Sequence, residues 1–164
     1  MKKQLNWLLH PPTNGAEALV IPRLMAGGVF LWEGILKFVY PNQGVGRFTK
    51  LGFPDPALLA HFVATMEIIG GLFLLFGLLT RITSLYFILQ MLVAVLTTKV
   101  ALYLGTSPLP LPPSPPQSGI WAVLHEIRSD YAQILTSLFL LIVGPGVRSL
   151  DEQLARNRRK RLVS

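Results

Sequence analysis

A handful of ionisable residues interrupt long apolar stretches of the chain, and they are the first candidates for chemistry. Arg23, Glu33 and Lys37 fall in one stretch, His61 and Glu67 in the next. An ionisable side chain inside a membrane helix costs about 2.5–3.5 kcal/mol on insertion scales, so it points to function by default. On a wheel of about 100° per residue, Lys37 falls about 40° and Glu33 about 80° from Arg23, with Gly27, Phe30 and Gly34 within about 40°. On its own helix Glu67 shares a face with Ala60, Ala64, Gly70, Gly71 and Leu74. A carboxylate flanked by small residues can meet a neighbouring helix closely. The acid could hand on protons, and the ammonium of Lys37 could hydrogen-bond a carbonyl or hold an anion. The plainer reading is mutual neutralisation. Glu33 and Lys37 are an i,i+4 pair, and Lys37 could also reach Glu67.

Other chemistries lack their residues. The chain has no cysteine, which excludes disulfides, thiol redox centres, iron–sulfur clusters and thiolate zinc sites. His10, His61 and His125 form no haem or metal pattern, and no metal site is expected. Gly44-Val45-Gly46 lacks the strand and helix a dinucleotide loop needs. Any electrons must therefore come from a partner or a substrate.

The elements that position these groups follow from composition. Of 164 residues, 51% are hydrophobic and 14% charged, against about 25% charged in a soluble domain. Mean hydropathy is +0.50. The expected architecture is all-α, an integral membrane four-helix bundle in a lipid bilayer. A span needs roughly 20 apolar residues, and four segments qualify, at about 16–40, 56–79, 82–104 and 126–143. The fourth start falls somewhere between Ile120 and Asp130. Turn signals agree: Pro11-Pro12-Thr13-Asn14-Gly15 before the first span, Tyr40-Pro41-Asn42 after it, Asp55-Pro56 opening the second, and Gly144-Pro145-Gly146 closing the fourth. Residues 1–15 read as an interfacial segment without a signal peptide. Residues 105–119 form a proline-rich outer loop, a stiff spacer or a docking strip. Residues 148–164 form a basic tail. Ser149-Leu150-Asp151-Glu152 reads as its capping box, and its Arg156–Arg161 run is expected against anionic lipid rather than nucleic acid.

Loop charges orient the bundle. Nine basic residues lie at the two termini and the Arg81 turn, against four at Arg47, Lys50, Lys99 and Arg128. Positive-inside then predicts both termini in the cytoplasm. At roughly 1.5 Å per residue, Lys37 lies about 5 Å and Glu33 about 10 Å from the outer end of the first span, His61 about 8 Å and Glu67 about 17 Å into the second. Lys99 and Asp130 also fall outward. A polar cavity is expected, open to the extracytoplasmic side and ending at Glu67. The expected catalytic residues are Glu67 and Lys37. The expected ligand-binding residues are Arg23, Glu33, Gly34, His61, Gly71 and Asp130.

Several motifs occur together in order. They are Arg23-Leu24; Gly27-x-x-Phe30-x-x-x-Gly34-x-x-Lys37; Phe48-x-x-Leu51-Gly52-Phe53-Pro54; Glu67-x-x-Gly70-Gly71-Leu72 running on to Gly77-Leu78-Leu79-Thr80-Arg81; and Gly144-Pro145-Gly146 before Ser149-Leu150-Asp151. Over roughly residues 20 to 151 the chain resembles the DoxX family of small four-helix membrane proteins. The resemblance marks Arg23, Gly34, Lys37, Glu67, Gly71, Arg81 and Asp151 as pattern positions. Glu33, the proline-rich stretch and the arginine-rich tail lie outside the pattern. Relatives in that family are linked to thiosulfate:quinone oxidoreductase subunits and to membrane redox complexes.

Two functions are compatible with these features. One is a redox-linked subunit that binds a quinone or a small anion in the outer cavity and takes electrons from a soluble oxidoreductase partner. The other is a non-enzymatic bundle that binds or moves a small molecule or scaffolds a partner, for which a homo-oligomer would be needed to transport.

Overall fold

The computed structural model describes residues 2–9, 16–111, 113 and 116–163. His10, the Pro11–Gly15 turn signal, Pro112 and Pro115 lie outside the described residues. The helices are α1 (Lys2–Leu9), a 3-10 turn (Glu17–Leu19), α2 (Val20–Val39), α3 (Val45–Lys50), α4 (Pro56–Phe76), α5 (Thr80–Tyr103), α6 (Gly119–Glu126), α7 (Arg128–Val143) and α8 (Leu150–Val163). Among the described residues there is no strand, so the all-α reading holds.

α2, α4, α5 and α7 close into a ring: α2 packs on α4, α4 on α5, α5 on α7 and α7 on α2. Three segments are long and apolar enough to cross a membrane: Glu17–Val39, Pro56–Phe76 and Thr80–Tyr103. α7 has 16 residues, about 24 Å at 1.5 Å per residue. Its N-terminal boundary, open in the sequence, is a break at Ile127 that separates it from α6.

Helix ends have local causes. The Leu58 N–H donates to Asp55 Oδ1 at 3.2 Å, and Pro56 follows at the first helical position. Gly77 ends α4 in the left-handed region at φ 65°, and the Leu78 N–H donates back to the Phe73 carbonyl at 2.8 Å. The short helix α3, not anticipated from sequence, packs on α4.

Large apolar side chains such as Ile21, Leu24, Trp32, Phe62, Leu89 and Ile142 face outward. Such a surface suits a bilayer, where the driving force for burying apolar groups is absent. Small residues and a few large ones hold the interior. Phe30 and Phe87 stack with centroids 3.6 Å apart, beside buried Ala26, Leu74 and Leu140. On the α2–α4 seam, a Cβ at Gly34 would meet the Ala64 carbonyl oxygen at 2.7 Å, and one at Gly71 the Leu31 nitrogen at 2.7 Å. The two backbones approach that closely only because both positions are glycine.

The end of the bundle that carries α1 and α8 is tied by polar contacts. Asp151 accepts from the Leu79 N–H at 2.9 Å, the Thr80 N–H at 3.1 Å and the Thr80 hydroxyl at 3.0 Å. It thus caps α5 from another helix and holds Leu79 at φ 48°. Arg81 donates to the Leu141, Ile142 and Trp7 carbonyls at 2.8, 2.8 and 2.7 Å, and its guanidinium lies over the Trp7 ring. Arg23 and Arg81 are both buried at this end. The Arg81 guanidinium turns two of its donors onto orphan carbonyls in the last turn of α7.

Candidate functional site

The glycine seam places the site. α2 and α4 run against each other so that Gly34 lies on Ala64 and on the Glu67 Cβ. Lys37, one turn beyond Gly34, then reaches across. Its Nζ donates to Glu67 Oε2 at 2.6 Å. From α5, the Gln90 amide donates to Glu67 Oε1 at 2.5 Å. Three helices therefore converge on one carboxylate, and both of its oxygens are engaged.

Exposure is graded along this polar set. The Glu67 side chain is 3% exposed, Lys37 14% and Glu33 48%. Lys37 Nζ also donates to the Glu33 carbonyl at 3.3 Å, and the Glu33 carboxylate lies 3.8 Å from it. A polar path thus leads from the surface through Glu33 and Lys37 to a buried acid. Tyr86 and Phe87 of α5 stand below, with the Phe30–Phe87 stack as an apolar floor.

The other expected site residues do not join this centre. Arg23 shares the inner face of α2 but lies 14 residues from Lys37, about 21 Å along the axis. It donates to the Arg148 carbonyl at 2.6 Å at the opposite end. Arg23, expected to bind ligand, therefore stands at the far end of the bundle from Lys37, since a wheel angle carries no axial distance. Gly34 and Gly71, expected to bind ligand, have the space beside their Cα filled by the facing helix. His61 is exposed and stacks on the exposed Phe38 ring at 5.5 Å, outside the bundle. Six residues from Glu67 turn it about 120° away. Asp130 pairs with Lys99 at 3.5 Å. Lys99 is nine residues beyond Gln90 on α5, about 13 Å nearer the α3 end. Glu33 touches the centre only through Lys37.

Gln90 was missed as a site residue. Its signal was available: it is the amide within the charge-free run Ile82 to Thr98, near mid-span like Glu67. Lys99 as the partner of Asp130, and Asp151 as a cap, had no comparable signal, because each acts on a distant helix.

Residues 18–100, half of the chain, match the family model described as DoxX. The chain belongs to the DoxX family. Its relative named "Uncharacterized membrane protein Rv3486", of Mycobacterium tuberculosis, is 36% identical over 155 residues, covering 91% of this chain and 87% of that protein. The relative named "Putative oxidoreductase CatD", of Bacillus subtilis, is 27% identical over 143 residues, covering 87% of this chain and 90% of that protein. No solved structure matches. This DoxX-family chain is a multi-pass membrane protein. The matched segment carries the whole Lys37–Glu67–Gln90 centre, while Asp130 and Asp151 lie beyond it.

Proposed function

We propose that this DoxX-family protein is a redox-linked membrane subunit that binds a quinone at Lys37 and Glu67. The observation that carries the reading is a buried carboxylate near mid-span, held by an ammonium and an amide from two other helices. Of the two ligand classes expected, a quinone fits better than a small anion. The charge of Lys37 is already directed to Glu67 at 2.6 Å, so the site has little net positive charge for an anion. A neutral carbonyl needs only a hydrogen bond, which the third N–H of Lys37 can supply beside those to Glu67 and the Glu33 carbonyl. Reduction of a quinone to a quinol consumes two electrons and two protons. In this reading a soluble oxidoreductase partner supplies the electrons, and Glu67 relays protons to the ligand oxygen. The printed name of the Bacillus subtilis relative supports a redox setting.

The same reading places both termini in the cytoplasm, from the excess of basic residues at the α1 and α8 end. It assigns residues 16–147 to the membrane domain, 1–15 to an interfacial segment and 148–164 to a basic tail facing anionic lipid. Arg23, Gly34 and Gly71 act here as structural supports, and Glu33 and Asp130 as outer polar groups.

The test is binding of a short-chain quinone to the full chain in lipid nanodiscs, with quinone reduction measured in membranes. Lys37→Ala is expected to weaken quinone binding at least about tenfold, the loss of one charge-assisted hydrogen bond, and Glu67→Gln to slow quinone reduction at least about tenfold, the loss of the proton relay. Wild-type affinity and wild-type reduction in both variants would overturn the reading.

A further inference from the structure

The charges on the α2–α4 seam are unequal in number. Among the described residues, the charged groups that act on Glu67 are Lys37 and Glu33. Gln90 is neutral, and so is the Tyr86 phenol that stands in the field of Glu67 from α5. Two carboxylates against one ammonium leave one carboxylate in surplus. Lys37 Nζ sits 2.6 Å from Glu67 Oε2 and 3.8 Å from Glu33 Oε2. Its hydrogen bonds go to the Glu67 carboxylate and to the main-chain carbonyl of Glu33, not to the Glu33 carboxylate. Glu33 is therefore a base held beside an ammonium whose charge is directed elsewhere.

The bundle wall ends beside Glu33. On the α2 wheel Glu33 lies about 120–160° from Gly27 and Leu31 and about 80° from Met25. Gly27 and Leu31 meet α4, whereas the Thr136 hydroxyl of α7 lies 3.8 Å from Met25 Sδ. Glu33 is thus on the α7 side of α2. The two helices run antiparallel, because each neighbour in the ring reverses direction. Glu33 is eight residues beyond Met25, and eight residues before Thr136 stands Arg128, the first residue of α7. Beyond the level of Glu33, about 12 Å from Met25, α7 no longer covers α2. α6 follows the break at Ile127 and packs on α5 and α7. Arg128 and Ser129 at this rim are exposed, and the Glu33 side chain is 48% exposed.

We infer that Glu33 is the group through which protons enter the centre at this rim, with Lys37 passing each proton from Glu33 to Glu67. The inference rests on the quinone reading and names the route of its protons. Lys37 gives the proton that lies on Glu67 Oε2 to that oxygen. Its nitrogen then takes a proton from Glu33, which has taken one from water. The step ends with Glu67 protonated, Lys37 again an ammonium and Glu33 again a carboxylate, so one proton has moved inward. Glu67 hands it to the ligand oxygen, and the relay runs twice per quinol, with both electrons from the oxidoreductase partner. Glu33 Oε2 needs to close about 1 Å to reach the 2.7–2.9 Å of a charge-assisted hydrogen bond. A rotamer change of an exposed side chain does this within about nanoseconds. The third N–H of Lys37 stays on the quinone carbonyl throughout. Glu33 itself touches no ligand and acts through Lys37.

Quinone binding to the full chain in lipid nanodiscs, with quinone reduction in membranes, tests this. Glu33→Gln should bind a short-chain quinone within about twofold of wild type and lower kcat at least about tenfold. Glu33→Asp keeps a carboxylate and should regain at least about half of the rate. Sodium formate, a small diffusible proton carrier, should speed Glu33→Gln several-fold and leave wild type unchanged. A wild-type rate in Glu33→Gln, or a loss that neither aspartate nor formate restores, overturns the inference while quinone binding stands. So does a tenfold loss of quinone binding in Glu33→Gln, which makes Glu33 a ligand residue. A wild-type chain that binds no quinone overturns the quinone reading and the inference with it.

Discussion

Removing Lys37 should strand the Glu67 carboxylate inside the bundle. Consider Lys37→Met, which keeps the apolar stem and removes the charge. At 2.6 Å, and with an effective dielectric constant of about 20, the lost attraction is about 6 kcal/mol. Lys37 recovers part of this when its own desolvation is relieved, at several kcal/mol per ion. What remains is a carboxylate 3% exposed with Gln90 as its remaining hydrogen-bond donor. The net loss of stability should be about 3–5 kcal/mol, the range for breaking one side of a buried pair. That is about two to three and a half decades in the unfolding constant, at about 1.4 kcal/mol per decade. The double variant Lys37→Met with Glu67→Gln removes the stranded charge but keeps an amide opposite Gln90, so it should regain at least half of the loss. The assay is unfolding of the purified protein in mixed micelles on titration with sodium dodecyl sulfate, followed by tryptophan fluorescence. A loss under about 1 kcal/mol, typical of an exposed pair, would refute the burial argument. So would a double variant no more stable than Lys37→Met alone.

Three further outcomes follow from contacts elsewhere. Gly34→Ala and Gly71→Ala each put a Cβ within 2.7 Å of the facing backbone and should cost about 1–3 kcal/mol. Gly28→Ala, where the nearest atom is Trp32 at 3.5 Å, should be neutral or gain up to about 1 kcal/mol, by the same unfolding assay. Asp151→Ala removes three hydrogen bonds from the start of α5 and should cost about 0.5–2 kcal/mol. Limited proteolysis should then cut the α8 segment faster, and an unchanged rate would argue against the cap. His61→Ala, on the outer surface with Phe38, should leave quinone binding and reduction at wild-type levels; a marked loss would return His61 to the site.

Much of the bundle was legible because bilayer helices obey local rules. The apolar run from Ile82 to Thr98 and the Asp55-Pro56 cap lead to α5 and α4 directly, and Ser149 does cap α8, its Oγ accepting from the Glu152 N–H at 3.2 Å. The site was legible only in part. Lys37 and Glu67 were singled out because each is costly in an apolar helix. Gln90 is neutral and raised no such alarm. Arg23 carried the same alarm as Lys37, yet serves the far end of the bundle. α3 was missed because six residues carry too little periodicity to read.

From its own residues the chain determines an all-α membrane protein, the apolar segments that make its long helices, and the inner faces marked by glycine and charge. These are properties of one helix at a time, set by side-chain polarity, small-residue spacing and caps. Tertiary structure alone decided which charge meets which. Rotation and sliding of one helix against another are fixed by the glycine contacts at Gly27, Gly34 and Gly71, and a shift of one turn moves a side chain about 5.4 Å. That distance separates a 2.6 Å ion pair between Lys37 and Glu67 from two unpaired buried charges.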